Sequence, residues 1–250
     1  MKKALPPREE LRDYLLSFDL FRRLGRPEEG EEYVLFHLDR FIRSLEFLPA
    51  LSGDVAVLEL GASPYFMTLL IQKYLGYRVT PANFFEDYGA SAKPGEHLQP
   101  VASTAFGEDH IFRYRMFNIE RDPFPYPDAS FDLVLCCEIL EHLVMDPSHM
   151  LREAHRVLKP GGILRMECPD AAKGCGQWQD PTHVSAWTPN GLQYFEQGSP
   201  AHLRFAKPYG ITARFKILIL EERNYFPLAG GPGGLRCEVW KFAAVLEAVK

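Results

Sequence analysis

Short apolar runs and longer amphipathic segments alternate along this chain. Seven runs are rich in aliphatic, β-branched or aromatic residues, which is typical of strands buried in a sheet. We predict strands at Val55–Leu60, Tyr77–Thr80, Phe112–Phe117, Phe131–Cys137, Gly162–Cys168, Phe215–Glu221 and Val239–Val245. The segment Lys159–Gly162 (Lys-Pro-Gly-Gly) predicts a turn just before the fifth of these strands.

Amphipathic helices are predicted before and between the strands. In residues 31–48 the apolar side chains recur at helical spacing, and Pro49 ends the pattern. Further helices are predicted over residues 8–24, 67–75 and 146–158. Because strands alternate with helices, we predict an α/β fold. Its sheet is expected to be doubly wound, mostly parallel, seven-stranded and Rossmann-like, with an N-terminal helical cap.

The length of the chain suits one α/β domain with insertions. We assign residues 1–50 to the helical cap and residues 51–250 to the main domain. Residues 171–214 are too long for a simple crossover between strands and are rich in aromatic side chains. Long loops at the ligand edge of a sheet usually carry function. We therefore interpret this segment as a substrate-recognition insertion.

Composition and charge narrow the classes of function. Hydrophobic residues make up 46% of the chain and charged residues 24%, which is typical of a globular protein. Lys and Arg number 28 against 33 Asp and Glu, so the net charge is 28 − 33 = −5, which disfavours a nucleic-acid partner. No apolar run reaches the length of about 18 residues that a membrane span needs. The five cysteines include no Cys-x-x-Cys pair, which argues against a disulfide framework or a zinc site and favours a cytoplasmic protein.

The loop after the first strand is the first candidate for ligand binding, since ligands of such sheets bind at the carboxyl ends of the strands. It contains one glycine, Gly61, and Pro64 lacks the N–H group that a phosphate would use. Glu59 adds a negative charge. This chemistry favours a cofactor without phosphate and with a cationic amine, although a plain strand–helix turn remains the alternative. Asn83, 24 residues after Glu59, is placed to bind a ribose or to form an Asx turn.

Four further motifs follow in order. They are a Pro-Phe-Pro segment at residues 123–125, Asp-x-Ser-Phe-Asp ending at Asp132, Glu-x-x-Glu-His from Glu138 to His142, and Arg-Val-Leu-Lys-Pro-Gly-Gly ending at Gly162. Over residues 55–170 this arrangement resembles the class I S-adenosylmethionine-dependent methyltransferases. The resemblance implies a methyltransferase that uses S-adenosylmethionine as its cofactor.

The resemblance also implies which residues bind the cofactor. Loop residues Glu59, Gly61, Ala62 and Ser63 would lie against its methionine part, and Asn83 would bind the ribose. Asn118 and Ile119 match the pair beside the adenine, and Glu138 matches the residue that closes the pocket. Two departures are notable. Ser63 and Tyr65 stand where the usual loop has glycines, and Asn83 replaces the usual carboxylate.

Methyl transfer to a hydroxyl needs a base, and histidine is the usual base near neutral pH. His183 lies in the long connection within Asp-Pro-Thr-His-Val, and His142 follows the fourth predicted strand. The former element loosely resembles bacterial methyltransferases of cell-surface saccharide pathways. We therefore expect a small-molecule or saccharide-type acceptor, methylated at a hydroxyl oxygen. As alternatives, His183 caps its loop and His142 only shapes the pocket wall.

A metal site is a further alternative. Glu138, Glu141 and His142 are spaced i, i+3 and i+4, so on a helix they would share one face, and with His183 they could bind a divalent ion. Such a site occurs in the small-RNA 3′-terminal 2′-O-methyltransferases, but the net charge of −5 disfavours an RNA acceptor. The expectation is therefore no metal.

Other hypotheses stay open at this stage. The missing loop glycines suggest a non-catalytic module that only binds the cofactor, whereas the loop chemistry disfavours an NAD-type oxidoreductase. The Gly-rich segment Ala229–Gly234 is interpreted as a hairpin connection or a mobile substrate loop. The N-terminal aromatic side chains are core residues or a cap over the cofactor; they are Tyr14, Phe18, Tyr33 and Phe36.

Overall fold

A computed structural model describes residues 5–18, 20, 27–83, 94–144, 146–226 and 238–250. The chain divides into two compact units, Met1–Met116 and Phe117–Lys250. Among the described residues, no helix is both long enough and apolar enough to cross a membrane.

Within its described residues, the first unit contains three α-helices and four strands. In chain order these are α1 (Arg8–Leu16), α2 (Pro27–Glu46), β1 (Ala56–Leu60), α3 (Phe66–Leu70), β2 (Arg78–Asn83), β3 (Gly95–Ser103) and β4 (Glu108–Met116). A π-helical turn, Ile71–Leu75, continues α3. The strand order is β3-β4-β2-β1, in which β1 is parallel to β2, β2 is parallel to β4, and β3 is antiparallel to β4.

The core of this unit follows from the hydrophobic pattern. All five residues of β1 are buried, as expected for a strand covered on both faces. Tyr14 and Phe18 are buried, and their rings meet edge to face at 5.1 Å. The ring centroids of Phe41 in α2 and Phe66 in α3 are 5.7 Å apart, so these two helices pack against each other. Tyr14 and Phe18 are therefore core residues of this unit.

The second unit contains four strands and two α-helices in the described part of the chain. They are β5 (Phe131–Cys137), α4 (Pro147–Val157), β6 (Leu158–Gly174), α5 (Pro200–Phe205), β7 (Phe215–Phe226) and β8 (Val239–Ala248). Short 3₁₀ helices lie at Leu140–His142 and Pro189–Tyr194. The strand order is β5-β6-β8-β7, with β5 parallel to β6, and β8 antiparallel to both β6 and β7.

The predicted α/β class and its mostly parallel sheet are confirmed, and the structure adds one strand to the predicted seven. The addition is β3, which pairs with β4 as a hairpin. The predicted turn at Lys159–Gly162 is wrong. These residues belong to β6, where Gly161 has a left-handed backbone (φ +73°) and the register with β5 shifts. The segment is therefore an irregularity within a strand.

Other predictions are placed as follows. The helix predicted over residues 8–24 is described as helical at Arg8–Leu16. The Gly-rich segment Ala229–Gly234 lies outside the described residues. Cys136, Cys137 and Cys168 are free thiols, whereas Cys175 is disulfide-bonded, which the cysteine count did not predict. The division into a cap of residues 1–50 and a main domain stays a prediction, as does the recognition role of residues 171–214.

Candidate functional site

The loop between β1 and α3 is closed by its own hydrogen bonds. Gly61 adopts a left-handed backbone (φ +65°), which allows the chain to turn sharply after β1. The N–H of Ala62 donates to the Ala82 carbonyl at 3.1 Å, and that of Tyr65 donates to the Ala62 carbonyl at 2.5 Å. The N–H of Ser63 donates to Asn83 Oδ1 at 2.9 Å.

These hydrogen bonds determine which backbone N–H groups of the loop remain for a ligand. Pro64 has no N–H, and the other three residues of the described segment 62–65 already donate to protein acceptors. A diphosphate needs several backbone N–H groups directed at it. Ala62, Ser63 and Tyr65 therefore have no backbone N–H group left for a diphosphate.

Asn83 links this loop to the end of β2. Its side chain is buried, and Nδ2 donates to the Tyr65 hydroxyl at 2.9 Å while Oδ1 accepts from Ser63. Tyr65, also left-handed (φ +69°) and buried, stacks on Phe112 at 5.4 Å. Asn83 thus joins two segments of chain instead of forming a local Asx turn. An amide can make further hydrogen bonds, so its contact with a ribose stays a prediction.

Glu59 is buried in β1 and its carboxylate Oε2 accepts from Thr68 Oγ1 at 2.5 Å. Burial raises the pKa of Glu59 to about 8, although the bond from Thr68 acts in the opposite direction. At neutral pH and without a ligand, the carboxyl group therefore holds its proton. The negative charge that the sequence suggested at this position is absent in that state, and a bound ammonium group would favour its return.

In the second unit, Asn118 forms a tight turn. Its Oδ1 accepts from the N–H of Glu120 at 2.9 Å, and its own N–H donates to Asp122 Oδ2 at 2.9 Å. The next residue, Ile119, is buried. The turn fixes the backbone at the pair that the resemblance places beside the adenine, and that role stays a prediction.

Glu138 follows β5 with a left-handed backbone (φ +58°), and its N–H donates to the Glu167 carbonyl at 2.8 Å. Its carboxylate forms an ion pair with Lys241 of β8. Glu138 is thus not part of a helix with Glu141 and His142, which lie in the short 3₁₀ helix Leu140–His142. The idea that all three share one helix face is wrong, because the chain turns sharply at Glu138.

The structure does bring His142 and His183 together, although 41 positions separate them. Their ring centroids are 4.9 Å apart. The contact depends on the loop after β6, in which the N–H groups of Val184 and Ser185 donate to the Glu141 carbonyl at 2.8 and 2.9 Å. The main chain thus holds His183 against the 3₁₀ helix.

Hydrogen bonds determine which nitrogen each imidazole presents. His142 Nδ1 lies 3.2 Å from the Thr182 carbonyl, and His183 Nδ1 lies 3.1 Å from the Gly176 carbonyl. A carbonyl accepts only, so Nδ1 carries the hydrogen in each ring and the lone pair is on Nε2. Burial, together with nearby His183, lowers the pKa of His142 and keeps its ring neutral at pH 7. Glu141, His142 and His183 together offer three ligand atoms for a metal.

Some of the sequence motifs serve the fold. The Arg156 guanidinium donates to the carbonyl groups of Phe124 and Tyr126 at 2.9 Å and forms an ion pair with Asp128. Lys159 likewise pairs with Asp132 at 2.7 Å. These bonds tie the Pro-rich segment and the start of β5 to the end of α4 and the start of β6. The residues of these motifs thus stabilise the fold.

Several residues of the site were not among the predicted ones. Tyr65 and Thr68 bond the two polar side chains of the first loop, Asn83 and Glu59. Thr182 contacts His142, and Asp180 Oδ1 accepts from Thr182 Oγ1 at 2.6 Å. The Asp-x-Thr spacing, typical of an Asx turn, was the one signal that could have indicated this support.

Comparison with known proteins relates one segment of this chain to a known family. Residues 58–166 match the family model described as "Methyltransferase domain". This segment is a methyltransferase domain. The match begins within β1 and includes β5 and the Glu-x-x-Glu-His element, and so the predicted resemblance to class I S-adenosylmethionine-dependent methyltransferases is confirmed.

Relatives and solved structures agree with the methyltransferase domain. A thiol S-methyltransferase of Homo sapiens is 31% identical over 60% of this chain and 54% of its own length. A ubiquinone biosynthesis O-methyltransferase of Idiomarina loihiensis is 32% identical over 38% of this chain and 36% of its own length. The chain thus spans about half or less of these two relatives.

A crystal structure of a SAM-dependent methyltransferase from Archaeoglobus fulgidus has a similar fold. It aligns with a TM-score of 0.52 at 16% identity, over 86% of this chain and 99% of that one. This likeness supports the α/β fold of the methyltransferase domain.

Proposed function

We propose that this protein transfers the methyl group of S-adenosylmethionine to a hydroxyl oxygen of a small-molecule or saccharide-type acceptor. The observation that carries the proposal is the closed loop Ala62–Tyr65 within a methyltransferase domain. The backbone N–H groups of Ala62, Ser63 and Tyr65 already have protein acceptors, which disfavours a diphosphate. S-adenosylmethionine is a sulfonium compound and needs none of these N–H groups.

S-adenosylmethionine supplies a methyl group already activated by its sulfonium centre. The protein's own residues bind and orient it. In the proposal, Glu59 loses its proton when the cofactor's ammonium group arrives, because a nearby positive charge favours the carboxylate. Asn83 uses its remaining hydrogen-bonding capacity on the adenosyl part. Gly61 keeps the loop free of a side chain where the cofactor lies.

The histidine pair supports a hydroxyl acceptor. A hydroxyl must lose its proton as its oxygen attacks, and a neutral imidazole with an Nε2 lone pair can take that proton. The acceptor oxygen forms the new bond to the methyl carbon while the carbon–sulfur bond breaks. The electron pair of the broken bond goes to sulfur, and the hydroxyl proton goes to the His142–His183 pair.

Exposed apolar side chains in the same segments support an organic acceptor. Val144, Trp178 and Val184 are 73%, 66% and 56% exposed, respectively. An exposed Trp is a suitable platform for a sugar or an aromatic ring. The names of the two relatives, a thiol methyltransferase and a ubiquinone-pathway O-methyltransferase, also favour small acceptors.

The test uses methyl-labelled S-adenosylmethionine and fractionated small-molecule and glycan extracts. We expect label in one of these fractions, and we expect His183→Ala to reduce turnover about 100-fold or more with little change in cofactor affinity. His202→Ala is the matched control, because His202 Nδ1 also bonds a carbonyl, that of Tyr194, at 2.9 Å.

Other results would refute parts of the proposal. Cofactor binding without transfer to any fraction would indicate a non-catalytic module. Binding of NAD in preference to S-adenosylmethionine would indicate an oxidoreductase. A His183→Ala variant with the wild-type rate would show that His183 only supports its loop.

A further inference from the structure

Glu141, His142 and His183 form a compact group within the second unit. Each offers one ligand atom, and the three atoms lie within 4.8 Å of one another. Ligands of one ion, each about 2.1 Å from it, lie at most about 4.2 Å apart. The two imidazole rings are already in contact, with centroids 4.9 Å apart.

The surroundings of the two imidazoles match those of metal-binding histidines. A ligating His commonly donates its other ring N–H to a carbonyl or carboxylate, which fixes the ring and the ligating nitrogen. Here His142 and His183 both direct Nδ1 to backbone carbonyls, those of Thr182 and Gly176. Two rings from distant parts of the chain are thus fixed in the same way, and in each ring Nε2 is the nitrogen that would bind a metal.

The third ligand, Glu141, supplies a negative charge to the site. The Glu141 side chain is fully buried, and its backbone carbonyl is the acceptor that holds Val184 and Ser185, next to His183. One carboxylate and two imidazoles suit Zn²⁺ or a similar transition-metal ion better than Mg²⁺ or Ca²⁺, which prefer oxygen ligands. Three protein ligands leave a position open, as in catalytic zinc sites.

We propose that Glu141, His142 and His183 bind a divalent transition-metal ion, with Zn²⁺ the best match. Asp180 supports the site through Thr182, whose N–H and hydroxyl both donate to Asp180 Oδ1. The site has no cysteine ligand and so differs from the Cys-x-x-Cys zinc sites that the sequence argues against.

The site also gives the methyltransferase a way to activate its acceptor, and this role rests on the proposed function. A hydroxyl group bound at the open position of the ion would have a lowered pKa. In the metal-loaded protein the Nε2 lone pairs bind the ion, so the proton leaves to solvent instead of to an imidazole. Metal binding itself does not depend on this role.

The experiment titrates chelator-treated full-length protein with Zn²⁺ in a calorimeter and, in parallel, records the visible spectrum with Co²⁺. We expect one Zn²⁺ per chain and a Co²⁺ spectrum with nitrogen ligands. His183→Ala and Glu141→Gln should each weaken Zn²⁺ binding at least about tenfold. His202→Ala, which removes a carbonyl-bonded histidine outside the cluster, should bind Zn²⁺ as the wild type does.

The result that overturns the site is equal Zn²⁺ affinity in the wild type and in both cluster variants, provided that circular dichroism shows them folded. Preference for Mg²⁺ over Zn²⁺ would overturn the choice of metal. Methyl transfer is measured separately with and without chelator. Transfer without Zn²⁺ binding refutes only this inference, whereas Zn²⁺ binding without transfer refutes only the proposed function.

Discussion

At the scale of single residues, the fold strongly affects the ionisation of the Glu59 carboxyl group. Its pKa rises from 4.5 to about 8 because β1 buries it. The folded protein therefore holds this proton more tightly than the unfolded chain does. The stabilisation is complete below pH 4.5 and is lost as the pH rises to about 8.

Glu59→Gln should remove this pH dependence. One pKa unit corresponds to about 1.4 kcal/mol, so the wild type should lose at most about 5 kcal/mol between these two pH values through Glu59. Urea unfolding across this range, compared between wild type and variant, measures the difference. Parallel pH profiles for the two proteins would show that Glu59 titrates normally.

Gly61 is the second residue with a specific requirement. Gly61→Asp should abolish binding of S-adenosylmethionine, because it places a side chain in the loop that the cofactor would contact. Part of any effect comes from strain, since a left-handed backbone costs a non-glycine residue about 1–2 kcal/mol.

The control for that strain is Gly76→Asp, because Gly76 has a similar backbone (φ +73°) and open space around it. Calorimetric titration of both variants separates the two effects. Cofactor affinity that stays at the wild-type value in Gly61→Asp would place the cofactor elsewhere.

At the scale of elements, hydrogen bonds within the segment between β6 and the second 3₁₀ helix hold His142 in position. Asp180 Oδ1 accepts from the N–H of Thr182 at 2.8 Å and from its hydroxyl at 2.6 Å, and the Thr182 carbonyl in turn faces His142. A neighbouring pair of residues, Val184 and Ser185, fixes the same segment to Glu141. Two independent sets of bonds thus define where the histidines meet.

Asp180→Ala should break the first set and leave the second intact. We expect a loss of about 1 kcal/mol in stability and a fall in turnover, which Asp180→Asn should largely restore because it keeps the acceptor oxygen. Ser199→Ala, which removes the cap of α5 in the same unit, serves as the control. It should cost a similar amount of stability and leave turnover unchanged. Equal turnover in all of these variants would contradict the supporting role.

At the scale of the whole molecule, cofactor binding should appear as added stability. A ligand at a concentration of about 100 times its Kd stabilises the folded state by about 2.7 kcal/mol. We therefore expect S-adenosylmethionine to raise the midpoint of thermal unfolding and NAD to leave it unchanged. The reverse pattern in a thermal-shift measurement would contradict the assignment of the cofactor.

The sequence predicts the buried strands well and the exposed ones poorly. Strand β5 has the predicted bounds and β1 differs by one residue, because burial on both faces produces a continuous apolar run. Strand β3 was missed because most of its residues are exposed or half-buried and leave no such run. Gly161 suggested a turn, but the same backbone conformation also occurs at an irregularity within a strand.

The candidate site is predictable only in part, for a related reason. Local motifs identify the residues of the first loop and the two histidines, since spacing and residue type are visible in sequence. The contact of His142 with His183 depends on backbone bonds between Glu141 and a segment more than 40 positions away, which no local pattern encodes. The bonds of Asn83 to Ser63 and Tyr65 are tertiary in the same sense.

The internal bonding of the loop after β1 has a consequence for kinetics. Because Asn83 and Tyr65 brace it, the loop has its final shape before any ligand arrives. An incoming molecule then loses little affinity to the entropy of ordering the chain. Its association should approach the rate set by diffusion and orientation, with no slow rearrangement of the loop. With Ser63 and Tyr65 bonded to Asn83, this loop is held in one conformation by the protein itself.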